Sequence, residues 1–236
     1  MLEGFAIRPP FFELGPKAYL YGQAALDLAL EAERLSGLYD VDIIYTPQAV
    51  DLRMIAQATR RLLVFAQHMD ALVVGKGVGS VLPEAVKAAG ARGVLLNHAE
   101  RRLELSELAR AIRRAGEVGL ATLVCADDPA QARAIAQLGP DIILAEPPEL
   151  IGAPGGGIEA RDYVRETNES IRRVDPAIRV LHGAGIAGPE DVRAMIALGA
   201  EATGCTSAVV RAPDPAKALG EMIRALREAW DERRGR

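Results

Sequence analysis

Cysteine is nearly absent from this chain. Cys125 and Cys205 are the only two, too few for a disulfide framework, which suits a reducing compartment. Histidine is almost as scarce: His68, His98 and His182 lie in separate stretches, with no C-x-x-C or H-E-x-x-H context around them, so no metal site is expected. Half of the residues are hydrophobic, yet no uncharged apolar run approaches the roughly 18 residues that a membrane span needs. The opening MLEGFAIRPP has neither the basic start nor the apolar segment of a secretory signal. Neither sign of charge dominates. A net charge of -4 with interspersed signs argues against a nucleic-acid or anionic-membrane surface, and the basic pieces RRLLVF, ERRLEL and DERRGR are too short to change that. No linker or low-complexity stretch divides the chain. These absences predict a soluble, cytoplasmic protein that forms one domain over residues 1–236.

What is present is a regular alternation. Short apolar runs of strand character occur at 11–14 (FFEL), 41–45 (VDIIY), 62–66 (LLVFA), 93–96 (GVLL), 120–124 (LATLV), 142–145 (IILA), 178–181 (IRVL) and 202–205 (ATGC), eight in all. Helical patterns separate them. One covers 22–36, with Gly37 placed as a stop. Asp128-Pro129 and Asp214-Pro215 each pair an N-cap acid with proline at the first helical position, and Pro83 and Pro189 open two further helices. Strands alternating with helices imply parallel pairing through right-handed crossovers. Eight units in about 240 residues match a (β/α)8 barrel; an open doubly wound sheet is the alternative.

One motif needs care. Gly183-Ala-Gly185-Ile-Ala-Gly188 fits the G-x-G-x-x-G dinucleotide fingerprint, but that fingerprint belongs to the first βαβ unit. Here it follows the seventh strand, where barrels often bind phosphate, so it reads as a phosphate cradle and no nicotinamide cofactor is expected.

In a barrel, the residues just past each strand gather at one mouth. They are Gly15-Pro16-Lys17, Asn97-His98-Ala99-Glu100, Cys125-Ala126-Asp127, Glu146, Gly183 to Gly185, and Thr206-Ser207. The stretch DIILAEPPELIGAPGGG (141–157) puts an acid at a strand end, then two prolines that cannot continue a ladder, then a glycine-rich tip. Such parts suit a general base beneath a movable lid. Each residue also has an ordinary structural role open to it: a solvated lysine, a capping histidine, a glutamate paired across the rim.

The stretches PFFELGPKAYLYG (10–22), VFAQHMD (64–70), LLNHAERR (95–102), CADDP (125–129), AEPPELIG (145–152), GAGI (183–186) and SAVVRAPDP (207–215) together resemble the triosephosphate isomerase family, in its compact archaeal-type form. The resemblance runs the length of the chain in the family's order. It implies a TIM barrel and an isomerase that interconverts D-glyceraldehyde 3-phosphate and dihydroxyacetone phosphate, a glycolytic and gluconeogenic step that uses no cofactor. It also implies a homodimer or homotetramer. Residue by residue, it makes Glu146 the proton-shuttling base, His98 the electrophile at the substrate carbonyl and Lys17 the stabiliser of oxyanion charge. Glu100 becomes their support, and Gly15, Ile151, Gly152, Gly185, Thr206 and Ser207 the substrate and phosphate contacts.

Some positions depart from the family's pattern. Gly15 stands where the first loop normally has asparagine, Val78-Gly79 where the third loop normally has a Thr-Gly pair, and Ala153-Pro154 where the lid has Thr-Gly. Thr206 replaces a small apolar residue. These changes keep two alternatives in view: a longer sugar phosphate of the tetrulose type, or a barrel that binds a phosphometabolite without turning it over.

Overall fold

The computed structural model describes residues 2–147, 158–183 and 185–235. Eight parallel strands close into a barrel in simple sequence order, β1 to β8, with β8 hydrogen-bonded back to β1. The strands are β1 (Phe11–Leu14), β2 (Asp42–Tyr45), β3 (Leu63–Ala66), β4 (Gly93–Leu96), β5 (Ala121–Ala126), β6 (Ile142–Ala145), β7 (Arg179–His182) and β8 (Ala202–Cys205). Helices α1 (Gly22–Tyr39), α2 (Leu52–Ala58), α3 (Pro83–Ala88), α4 (Leu105–Val118), α5 (Pro129–Ala136), α6 (Ile158–Arg172) and α7 (Pro189–Ala197) occupy the seven crossovers. The short α8 (Ser207–Val210) and the long α9 (Pro215–Arg233) follow β8. The expected (β/α)8 barrel is therefore the observed one, and the open-sheet alternative is excluded by the β1–β8 pairing.

Strand alternation divides the core in two. Phe11, Ile44, Phe65, Leu95, Leu123, Ile142, Leu144 and Leu181 fill the lumen, with Ile7 and Phe5 closing its N-terminal end. Phe12, Leu14, Ile43, Tyr45, Val64, Val94, Leu96, Val124, Ile143 and Val180 face the helices. Side chains at successive strand positions point to opposite faces, so in FFEL the residues Phe11 and Glu13 look inward while Phe12 and Leu14 look outward. A glutamate in the lumen is the exception to an apolar lining.

Several boundaries differ from expectation by one or more residues. Helix α1 passes Gly37 and ends at Tyr39, because Asp40 takes the left-handed turn (φ 48°) and its N–H donates to the Ser36 carbonyl. Aspartate tolerates that conformation better than most residues, and Arg8 and Arg61 pair with its carboxylate. Strand β5 runs to Ala126, which puts Cys125 inside the barrel wall, buried, and not at the mouth. Strand β7 likewise takes in His182, which is buried. The acid-proline starts behave as read: Asp128 accepts from Gln131 N and Asp214 from Lys217 N. Among the described residues no helix is long and apolar enough to cross a membrane.

Candidate active site

The site is built at the C-terminal ends of the strands, and Lys17 and His98 are presented by locally unusual backbone. Lys17 sits at φ 49°, a conformation that costs a non-glycine residue energy unless its surroundings enforce it. Two glutamines do so. Gln48 Nε2 and Gln67 Nε2 donate to the Lys17 carbonyl at 2.8 and 3.0 Å, and Gln67 also reaches the Thr46 carbonyl at 2.9 Å. On the next rim position, Asn97 is left-handed at φ 59°. Its amide donates to the Cys125 carbonyl at 3.0 Å and its oxygen accepts from Leu103 N at 3.1 Å. This buried asparagine staples the turn after β4 to β5 and so presents His98.

The chemistry-bearing groups then meet. Lys17 Nζ lies 2.7 Å from Glu100 Oε1. The Glu100 backbone N–H donates to His98 Nδ1 at 3.1 Å, so Nδ1 is an acceptor and the ring proton of a neutral imidazole belongs on Nε2. That Nε2 stands 3.7 Å from Glu146 Oε2. Burial first, and the Lys17 ammonium second, hold His98 below its ordinary imidazole range, so the ring is neutral at pH 7. Burial raises the Glu146 carboxyl above the usual carboxylate range, and Lys17 offsets part of that rise. Glu100 is shifted the other way, chiefly by its hydrogen bond to Lys17. Two acids, one two residues and the other two strands away from the same imidazole, are thus tuned apart by environment alone.

One cavity of about 1050 Å³ contains these groups. Of the residues expected in the site, Gly15, Lys17, His98, Glu100, Glu146, Gly185, Thr206 and Ser207 all line it. Gly185 is at φ 77°, and Thr206 is the N-cap of α8. Ile151 and Gly152, with the lid over 148–157, lie outside the described residues. The cavity also takes in Glu13, Thr46, Gln48, Gln67, His68, Arg101 and Arg211, which the sequence reading missed. Glu13 could have been found because it breaks the apolar lumen pattern, whereas Arg101 and Arg211 lie five and six residues past their strands and carry no such mark. Among the described residues no group of three or more His, Cys, Asp or Glu is arranged to hold a metal.

Comparison with known proteins gives the same picture. The family model described as triosephosphate isomerase matches residues 17–225. The chain belongs to the triosephosphate isomerase family. Its relatives include the triosephosphate isomerase of Methanobacterium bryantii, 42% identical over 220 residues, covering 91% of this chain and 96% of that protein. The triosephosphate isomerase of Methanothermus fervidus is 40% identical over 203 residues, covering 86% and 91% of the two chains. That of Sulfurisphaera tokodaii is 37% identical over 232 residues, covering 97% of this chain and all of its own. The match to the triosephosphate isomerase family thus spans both the barrel wall and the rim that carries Lys17, His98 and Glu146.

Proposed function

We propose that Glu146, His98 and Lys17 divide a single proton-transfer reaction between them. The reaction is the interconversion of D-glyceraldehyde 3-phosphate and dihydroxyacetone phosphate, an aldose–ketose isomerisation. Glu146 removes a proton from the carbon beside the carbonyl. The released electron pair forms the carbon–carbon double bond of an enediolate, and the carbonyl electrons move onto oxygen. The Nε2–H of neutral His98 donates to that oxygen as its charge grows, with the Lys17 ammonium adding a second stabilising field. His98 passes its proton to the oxygen and recovers one from the neighbouring hydroxyl. Glu146 returns its proton to the other carbon. No atom is gained or lost.

The observation that carries this assignment is the Glu100 N–H donating to His98 Nδ1, because it aims an Nε2 proton at the space beside Glu146. A carboxylate lifted by burial is a stronger base than a solvated one. Purified protein given either triose phosphate should interconvert them, and His98→Asn should lower kcat by roughly 10²- to 10³-fold, the usual cost of one oxyanion donor. Wild-type protein without turnover would sink the assignment.

We further propose that Gly185, Thr206 and Ser207 take the phosphate, and that Ile151 and Gly152 contribute from the lid. The departures at Gly15, Val78 and Ala153-Pro154 are local adaptations around this same chemistry. Val73, Val74 and Val78 are 67, 70 and 108% exposed on the segment after β3, which supports burial against a second copy in a homodimer or homotetramer. Val74→Asp with Val78→Asp should lower the mass seen by sedimentation; an unchanged mass would remove this surface from the interface.

A further inference from the structure

Glu13 is the feature that the triose-phosphate reading leaves unused. It sits in the top layer of the lumen, on the inward face of β1, and only 8% of its surface is exposed. Its Oε1 accepts a hydrogen bond from Thr46 Oγ1 at 2.9 Å. Two of its inward neighbours, Gly15 and Gly204, are glycines, and the carboxyl fills the space that their missing side chains leave. A Cβ on Gly15 would come within 2.8 Å of Glu13 Oε1, and one on Gly204 would lie 3.2 Å from Oε2 and 2.6 Å from the Glu13 carbonyl. Glu13, Gly15 and Gly204 all line the cavity that holds Lys17, His98 and Glu146. No described residue hydrogen-bonds Oε2.

We propose that Glu13 is a further substrate-contacting residue, whose Oε2 hydrogen-bonds an oxygen at the reacting end of the bound triose phosphate. Glu13 Oε2 is not among the fully buried side-chain atoms that lack a partner, so the cavity reaches it. Here one oxygen is anchored and the other is left open to the cavity. Burial raises the Glu13 carboxyl to about 8, with Glu146 adding to the rise and Thr46 and Lys17 opposing it. At pH 7 the group is therefore a neutral acid. With Oε1 accepting from Thr46, its proton belongs on Oε2 and can be donated. The groups that face it are Thr46 after β2, Cys125 on β5, Glu146 after β6, Cys205 on β8 and Lys17 after β1. Both buried thiols are pushed up and stay neutral, so Glu13 is the group that ionises on the alkaline side. Once ionised, it puts a second carboxylate beside Glu146 and repels the enediolate.

This inference rests on the reaction assigned above, and a binding measurement separates the two. Glu13→Leu should weaken 2-phosphoglycolate, a carboxylate mimic of the enediolate, at least 10-fold by calorimetry at pH 7. It should also lower kcat/KM for the triose by roughly 10- to 100-fold, the loss expected for a hydrogen bond to a charged ligand. Glu13→Gln keeps a donor, so it should stay within about 10-fold of wild type at pH 7 while abolishing an alkaline decline in kcat/KM centred near 8. Unchanged 2-phosphoglycolate affinity in the leucine variant would overturn the proposal. So would an alkaline limb that survives in the glutamine variant, which is isosteric and decides the matter even if the leucine variant misfolds. Wild-type protein that binds the mimic without turning over triose phosphate would refute the reaction and not Glu13.

Discussion

Strand β6 carries an acid at each end, and the two live under opposite conditions. Asp141, just before the strand, is buried at the N-terminal end of the barrel. It accepts from Thr122 N at 2.8 Å and Thr122 Oγ1 at 3.1 Å with one oxygen, and from Leu2 N with the other. Glu146, just after the strand, has no hydrogen bond to its carboxylate from any described residue; His98 Nε2 stands 3.7 Å away. Five residues apart on one rigid segment, one carboxylate is saturated with donors and the other is kept short of them. A saturated carboxylate gains stability from its surroundings, whereas an unsaturated, desolvated one keeps its basicity for a proton that arrives with substrate. The barrel therefore separates fold from chemistry along its axis.

The sharpest way to test that separation is to alter the C-terminal acid. Glu146→Asp withdraws the carboxylate by about one methylene and should cut kcat by roughly 10²- to 10⁴-fold, the range assigned to a positioned general base, with the melting temperature held within a few degrees. Steady-state assays beside thermal melts read both. Altering the other acid should do the reverse. Asp141→Ala strands the buried Thr122 N–H and removes the tie to Leu2, so it should cost about 2–4 kcal/mol in urea unfolding. Its kcat should stay within about 2-fold of wild type at temperatures where it is folded. Equal losses of activity in the two variants would erase the contrast.

A subtler effect concerns pH. The folded state raises the Glu146 carboxyl, so between its unfolded and folded values the native state binds more protons than the unfolded state. Stability contributed by protonated Glu146 is present below its unfolded value of about 4.5 and is lost as pH rises through the folded value. Once ionised, the buried Glu146 carboxylate is a burden on the fold, so Glu146→Gln should unfold at a higher urea concentration than wild type at pH values above the folded one, while being inactive if Glu146 is the proposed base. A lower midpoint would contradict the desolvation account. The same shift places the acidic fall of kcat/KM above the range of an ordinary glutamate. The smallest effect is expected at Glu100, whose side chain is 65% exposed where it pairs with Lys17. Glu100→Gln should change stability by less than about 1 kcal/mol, as for other solvent-exposed pairs. Its consequence should be a rise in KM of several-fold as the ammonium loses its tether, measured against an unchanged melting curve.

Legibility in the sequence followed how local the determining force was. Eight apolar runs, proline-led helix starts and the order of LNHAE and EPPELIG were readable because each rests on neighbours within a few residues. Boundaries slipped where a distant contact decided them: α1 ran through Gly37 because Asp40, held by Arg8 and Arg61, supplied the left-handed turn. Lys17, His98 and Glu146, which line one cavity, were readable as candidates, since an ammonium, an imidazole and a carboxylate at a barrel rim are restricted choices. Gln48 and Gln67 were not, because what marks them is a shared hold on the Lys17 carbonyl, and no spacing rule joins positions 17, 48 and 67.

The sequence by itself determined the class of architecture and supplied the three proposed reacting groups, since strand and helix periodicity and the choice of acid, imidazole and ammonium are properties of short segments. Tertiary structure alone decided the protonation states. Whether His98 is neutral, Glu146 basic and Glu13 an acid depends on burial and on charges brought from other strands. Those fields exist only once β1 closes against β8 and the barrel excludes water from its lumen.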